Sequence, residues 1–204
     1  MAQNLDLITP FTKVKLQTQT SDGERAIGIF WGAFNPVHIA HLTIADQVRQ
    51  QLHLEKVLLM PESDGESGHI ATMLALALTG KEGLLLDTCR CAKREKTMLD
   101  TVRELKKLNP ERMIYFIIGG DMVSGLAQWD GIDELLELVQ FVGVQRPGVR
   151  AGTSYPILWV DVPQMAISST LIREQISKGL KPHFLVAPKV LTYILKEKLY
   201  VKNR

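Results

Sequence analysis

The sequence predicts an α/β fold: a mostly parallel sheet with helices on both faces, followed by a small C-terminal helical part. Three observations carry this reading. Short apolar runs, bounded by turn residues, alternate along the chain with stretches of helical periodicity. That β-α-β-α rhythm is the signature of strands joined by helical crossovers. After the last apolar run the rhythm stops, and two helical stretches follow with no strand between them.

Residues 1–25 read as a polar N-terminal arm ending in the turn signal Ser21-Asp22-Gly23, ahead of one domain over residues 26–204. Ala26–Trp31 is the first buried strand, and Ile39–Leu52 the first helix. Lys56–Met60 and Leu84–Thr88 are the next strands, with Ile70–Leu78 as the helix between them. Thr97–Leu108 leads as a helix into the strand Met113–Ile118. Gly131–Leu138 then precedes the strands Phe141–Val144 and Ile157–Val160. Ser168–Lys178 and Pro188–Glu197 are the closing helices, parted by Gly179-Leu180-Lys181-Pro182, a stop signal with a proline behind it. In such a sheet ligands bind at the carboxyl ends of the strands, where the strand order reverses.

Composition narrows the function. A formal net charge of +2 over 204 residues argues against duplex DNA or an anionic membrane as the main partner. Met1–Thr20 lacks a basic segment followed by an apolar block, and no apolar run approaches the roughly 20 residues that span a bilayer. Cys89 and Cys91 are too close for an ordinary disulfide and too few for a zinc site, so both read as reduced thiols of a cytoplasmic protein. Nothing in the pattern excludes a homo-oligomer.

The most informative segment runs from Gly28 to Leu42. An apolar strand ends in a glycine-containing turn, Asn35-Pro36 continues the turn, and a helix begins near His38. A helix start with its N–H groups and positive dipole end favours phosphate. His38 and His41, three apart, share one helix face and can aim at one anion. Metal ligation fits less well, because zinc-protease helices space two histidines four apart with a glutamate between. Two ordinary polar residues on a half-exposed helix are the other reading. A second segment, Ala166–Arg173, brings Ser168, Ser169 and Thr170 to a helix start with Arg173 close behind. The hydroxyls can cap the helix. Together with the arginine they also make a donor cluster suited to a polyphosphate.

With both segments in view, the chain resembles the bacterial nicotinate-nucleotide adenylyltransferases of the HxGH nucleotidyltransferase superfamily. The resemblance runs through Gly32–Leu42, Phe116–Met122, Trp129–Pro147, Val160–Arg173 and the closing Tyr193-Ile194 and Leu199-Tyr200. It implies a Rossmann-like domain that transfers the adenylyl group of ATP, with Mg²⁺ on the triphosphate, to nicotinate mononucleotide. It further implies that Gly32, Ala33, Phe34, His38, His41, Gly119, Asp121, Ser168, Ser169 and Arg173 bind ATP. His38, His41 and Arg173 would carry the catalysis. Asp100, Thr101, Trp129 and Arg146 would hold the acceptor, with Trp129 stacking on its pyridine ring.

The departures from the family pattern concentrate on the acceptor side. Trp31 stands where the family has a glycine, and Ala33 where it has a small polar residue. A proline- and histidine-bearing loop is missing at Ser63–Gly68. Ile70 replaces an arginine, Lys96-Thr97-Met98 replaces a Ser-Tyr-Thr, and Asp130 follows Trp129 where a tyrosine is common. Adenylyl chemistry is thus carried by more of the sequence than the acceptor's identity. A related enzyme with another phosphorylated acceptor and a non-catalytic nucleotide-binding paralogue are the alternatives.

Overall fold

The computed structural model describes residues 7–8, 26–62, 68–88, 97–144 and 153–201. Cys89, Cys91, Arg146, most of the Ser63–Gly68 segment and the basic run Lys93–Lys96 lie outside them. The strands are β1 (Leu7–Ile8), β2 (Ile27–Gly32), β3 (Lys56–Pro61), β4 (Leu84–Leu86), β5 (Ile114–Gly119), β6 (Gln140–Val144) and β7 (Ile157–Val160). The helices are α1 (Ile39–Gln51), α2 (His69–Leu78), α3 (Met98–Leu108), α4 (Gly120–Val123), α5 (Ile132–Leu138), α6 (Ser169–Ser177) and α7 (Pro188–Lys196). A 3₁₀ turn at Leu126–Gln128 joins α4 to α5.

All seven strands form one sheet in the order β1-β7-β6-β5-β2-β3-β4, and every pairing is parallel. The predicted α/β layering stands. Among the details that differ from it are these. β4 stops at Leu86, and β5 runs one residue further, to Gly119. The N-terminal arm contains a short strand, Leu7–Ile8, which pairs with Trp159–Val160. Two apolar residues in a polar arm show no period, so that strand exists only because β7 offers it an edge.

Side chains alternate along each strand and sort the core into two layers. Phe30, Val57, Leu59, Tyr115, Ile117, Val142 and Val144 face α1, α2, α6 and α7. Ile27, Ile29, Leu58, Met60, Ile114, Phe116, Ile118 and Phe141 face α3, α4 and α5. Each central strand therefore needs apolar residues at both parities, which explains why these segments read as unbroken apolar runs. Gly28 on β2, like Gly143 on β6, is an exception. A Cβ there would meet Val57 Cγ2 at 2.9 Å, Leu54 Cδ1 at 3.1 Å and Ile117 Cδ1 at 3.3 Å, so β2 uses glycine to let three core side chains close over it. Gly28→Ala is expected to destabilise by about 1–3 kcal/mol through overpacking. An unshifted urea midpoint would show that those side chains yield freely.

The chain runs outward from β2 through β3 to β4, then crosses back to β5 on the other side of β2. The strand order reverses between β2 and β5. Their pairing ends at Phe30↔Ile117. Beyond that, Trp31 and Gly32 stay with β3, and Ile118 and Gly119 stay with β6. The sheet parts at its carboxyl ends, and that crevice is where a ligand site belongs.

Candidate active site

Gly32 ends β2 at one side of the crevice, and the turn to α1 follows directly. Ala33 is exposed, whereas Phe34 is fully buried with φ +47°, a left-handed conformation that favours glycine. The burial of its ring holds it there: it sits edge-on to Phe30 at 5.5 Å and to His41 at 4.9 Å. One residue on, the Asn35-Pro36 peptide bond is cis.

His38 is the N-cap of α1 and His41 lies in its first turn. Both are buried, and their rings stack in parallel with centroids 3.6 Å apart. The expected sharing of one face thus holds in a tighter form, through ring stacking. The His38 backbone N–H donates to His41 Nδ1 at 3.2 Å. A ring nitrogen that accepts carries no proton, so the neutral His41 ring holds its hydrogen on Nε2, as a donor.

The expectation of open amides at the helix start needs narrowing. The Ile39 N–H donates to the Leu185 carbonyl at 2.9 Å, and the His38 N–H is used by His41. Those two amides are thus spent inside the protein, and the donors this turn offers are mainly side chains.

The second motif reaches the same turn. Ser168 caps α6, its hydroxyl accepting from the Leu171 N–H at 3.1 Å. Ser169 Oγ donates to the Pro36 carbonyl at 2.9 Å. Arg173 Nη1 donates to the Asn35 carbonyl at 2.7 Å, and Nη2 to Thr170 Oγ1 at 3.1 Å. Two motifs more than 130 residues apart are therefore built into one structure. Across the crevice Gly119 is the N-cap of α4, and Asp121 is exposed in its first turn.

Trp129 follows the 3₁₀ turn on the α3–α5 side. Its ring is set edge-on to Trp31 at 5.4 Å, with Phe116 at 5.9 Å and Phe141 at 6.2 Å. Strand parity decides where Trp31 goes: it points to this layer, away from the histidines, and the turn between β2 and α1 is not crowded by it. Asp100 and Thr101 open α3, in the same layer. Asp100 accepts from the Thr97 N–H at 3.1 Å and from Thr97 Oγ1 at 2.8 Å, and it meets Arg103 at 3.3 Å. Thr101 is buried and donates to the Thr97 carbonyl. Asp100 here completes the capping box of α3 with Thr97, and the Thr101 hydroxyl back-bonds within the helix.

The hydrogen bonds from Thr97 hold the Asp100 carboxyl below its usual range, and Arg103 does the same for Glu134. Stability from these carboxylates is present above their unfolded pKa values and is lost as the pH falls through the lower folded ones.

The sequence reading missed Asn35 and Tyr200. Asn35 was legible only as part of a turn, and Tyr200 only as one of the closing residues. Tyr200 Oη donates to Asn35 Oδ1 at 2.5 Å. Burial pushes its phenol up to about 12, against the opposing charge of Arg173, so it stays a donor at working pH.

Among known proteins, the cytidylyltransferase-like family model matches residues 29–175. The chain is 52% identical over 207 aligned residues to the probable nicotinate-nucleotide adenylyltransferase of Streptococcus mutans, covering 96% of this chain and 99% of that protein. It is 48% identical to the Streptococcus pneumoniae protein of the same name, with the same coverage. The fold is similar to Plasmodium falciparum nicotinic acid mononucleotide adenylyltransferase complexed with NaAD. The TM-score is 0.75 at 20% identity, over 87% of this chain and 98% of that one.

Proposed function

This chain belongs to the cytidylyltransferase-like family and, within it, to the nicotinate-nucleotide adenylyltransferases, and from that premise we propose that it transfers the adenylyl group of ATP to nicotinate mononucleotide, giving deamido-NAD and pyrophosphate. The observation that carries this reading is the meeting of the two donor motifs. His38 and His41 at one helix start, and Ser169 and Arg173 at another, converge on the turn that ends β2, beside the parted strands.

The acceptor's 5′-phosphate oxygen attacks the α-phosphorus of ATP, the bond to the β-phosphate oxygen breaks, and pyrophosphate leaves with the displaced electron pair. A phosphate monoester is largely dianionic at neutral pH, its second pKa being about 6, so no general base is needed. The protein has two tasks: to align attacking and leaving oxygens, and to stabilise charge growing on the pyrophosphate. His41 Nε2–H, His38 and Arg173 serve the second. The turn's donors are imidazole, hydroxyl and guanidinium, which suit phosphate oxygens and not a hard cation. Mg²⁺ therefore enters with ATP, as part of the substrate, held by phosphate oxygens and water.

Trp129 and its aromatic neighbours Trp31, Phe116 and Phe141 supply the acceptor side with a rigid aromatic wall. Among the described residues polar readout there is thin, because the Asp100 carboxylate and the Thr101 hydroxyl are used inside α3. A lost hydrogen bond to a charged group costs about 1.5–3 kcal/mol. The expected result is detectable but weak use of nicotinate mononucleotide, with the nicotinamide form within about tenfold in kcat/KM. Pyrophosphate release from ATP and Mg²⁺ with both acceptors in parallel tests the proposal. No release with either acceptor would refute the assigned reaction, and sharp selectivity for nicotinate would refute the thin-readout account.

No helix among the described residues is long and apolar enough to cross a membrane.

A further inference from the structure

The turn that carries the two histidines is gripped from the C-terminal part of the chain. Ser169 holds the Pro36 carbonyl, Arg173 the Asn35 carbonyl, and Tyr200 the Asn35 side chain. Tyr200 differs from the other two. It comes from beyond α7, more than 160 residues from its partner, and its hydroxyl is the group that reaches the Asn35 amide.

We infer that Tyr200 is a positioning residue for the phosphate-binding turn: by donating to Asn35 Oδ1, it fixes the orientation of that carboxamide and leaves the Nδ2 hydrogens as the half that can meet phosphate. This rests on the adenylyl-transfer reading given above. The chemistry follows from the amide having one accepting end and one donating end. A phenol that stays protonated can satisfy the accepting end and cannot be displaced there by an anion. An unpinned amide could turn its oxygen toward the phosphate and repel it.

The tail is built to hold this contact. Tyr200 is half-buried, with its hydroxyl 3.9 Å from Met73 Sδ on α2. Lys198 and Tyr200 both take left-handed backbone conformations, φ +53° and +64°, which non-glycine residues adopt only where surrounding contacts impose them. The Leu199 N–H returns to the Ile194 carbonyl at 3.0 Å, closing the tail onto α7. α7 is seated in turn by Val190, Leu191 and Ile194 in the core, and by Tyr193 Oη at 2.7 Å from His69 Nδ1 on α2. Tyr200 is thus delivered to Asn35 from an anchored element. Preorganisation of this kind matters most for groups that meet developing charge.

The test uses Tyr200→Phe, Asn35→Ala and the double variant in the full chain. Two readouts are needed: deuterium exchange over residues 32–38, and steady-state kinetics with ATP and acceptor varied separately. Tyr200→Phe keeps the ring and removes only the hydroxyl. The expected result is faster exchange at the turn and a loss of about tenfold in kcat/KM for ATP, with the acceptor KM within about twofold of wild type. Asn35→Ala should reproduce the loss. The double variant should lose no more than the worse single one, because both substitutions break the same contact. Native exchange and native ATP kinetics in Tyr200→Phe would overturn the inference, whatever Asn35→Ala does. An equal loss toward ATP and acceptor would overturn it too, since it would mark a general structural role. If wild type transfers adenylyl to no acceptor while Tyr200→Phe still loosens the turn, the reaction assigned above fails and the positional role stands.

Discussion

Replacing His41 with alanine is expected to slow adenylyl transfer by about 10²- to 10³-fold, the usual cost of losing one preorganised donor to transition-state charge. The structure gives the reason. His41 is buried between Phe34, Phe30 and the His38 ring, and its Nδ1 is occupied by a backbone N–H. Ring orientation and proton position are thereby set before any nucleotide arrives, with the ring's hydrogen on Nε2. The substitution also strands the His38 N–H and opens a void beside Phe34. A stability loss of about 1–3 kcal/mol should accompany it. The kinetics must therefore be measured well below the variant's unfolding temperature, with circular dichroism to confirm the fold. Near-normal kcat in a folded His41→Ala variant would remove His41 from the chemistry.

Arg173→Lys should behave as a severe change, lowering ATP affinity by about ten- to a hundredfold. The guanidinium divides its work: Nη1 holds the Asn35 carbonyl and Nη2 the Thr170 hydroxyl. It therefore braces the turn while placing a fixed positive charge beside it. A lysine ammonium is a point charge on a flexible stem and cannot hold that fork. Losing one charged hydrogen bond, at about 1.5–3 kcal/mol, gives the stated range. Calorimetric titration of both forms with ATP and Mg²⁺ decides it. Equal affinities would confine Arg173 to bracing the turn, with no part in holding the triphosphate.

Both residues belong to short motifs that are legible in the sequence only in part. The spacing of His38 and His41, and the hydroxyl-arginine cluster at Ser168–Arg173, can be read from residue order because both are local to a helix start. That they share one turn cannot. The hydrogen bonds from Ser169 and Arg173 to Pro36 and Asn35 cross more than 130 residues, a separation at which no local period carries information. Tyr200 shows the same limit more sharply, because nothing around Asn35-Pro36 signals that a closing tyrosine will meet its side chain.

The sequence by itself determined the layered α/β class, the alternation of strands and helices, and the chemical kind of the site, since periodicity and donor-rich helix starts are properties of neighbouring residues. It also supplied the resemblance to the family to which the chain belongs. The tertiary structure decided what depends on parity and register. The pairing of β2 with β5 ends at Phe30↔Ile117, so the crevice opens there. Odd parity on β2 sends Trp31 to the Trp129 layer and leaves the turn to α1 clear. The Leu185 carbonyl takes the first amide of α1, so that amide is spent inside the protein. In each case the deciding partner lies far along the chain, and only folding brings the two together.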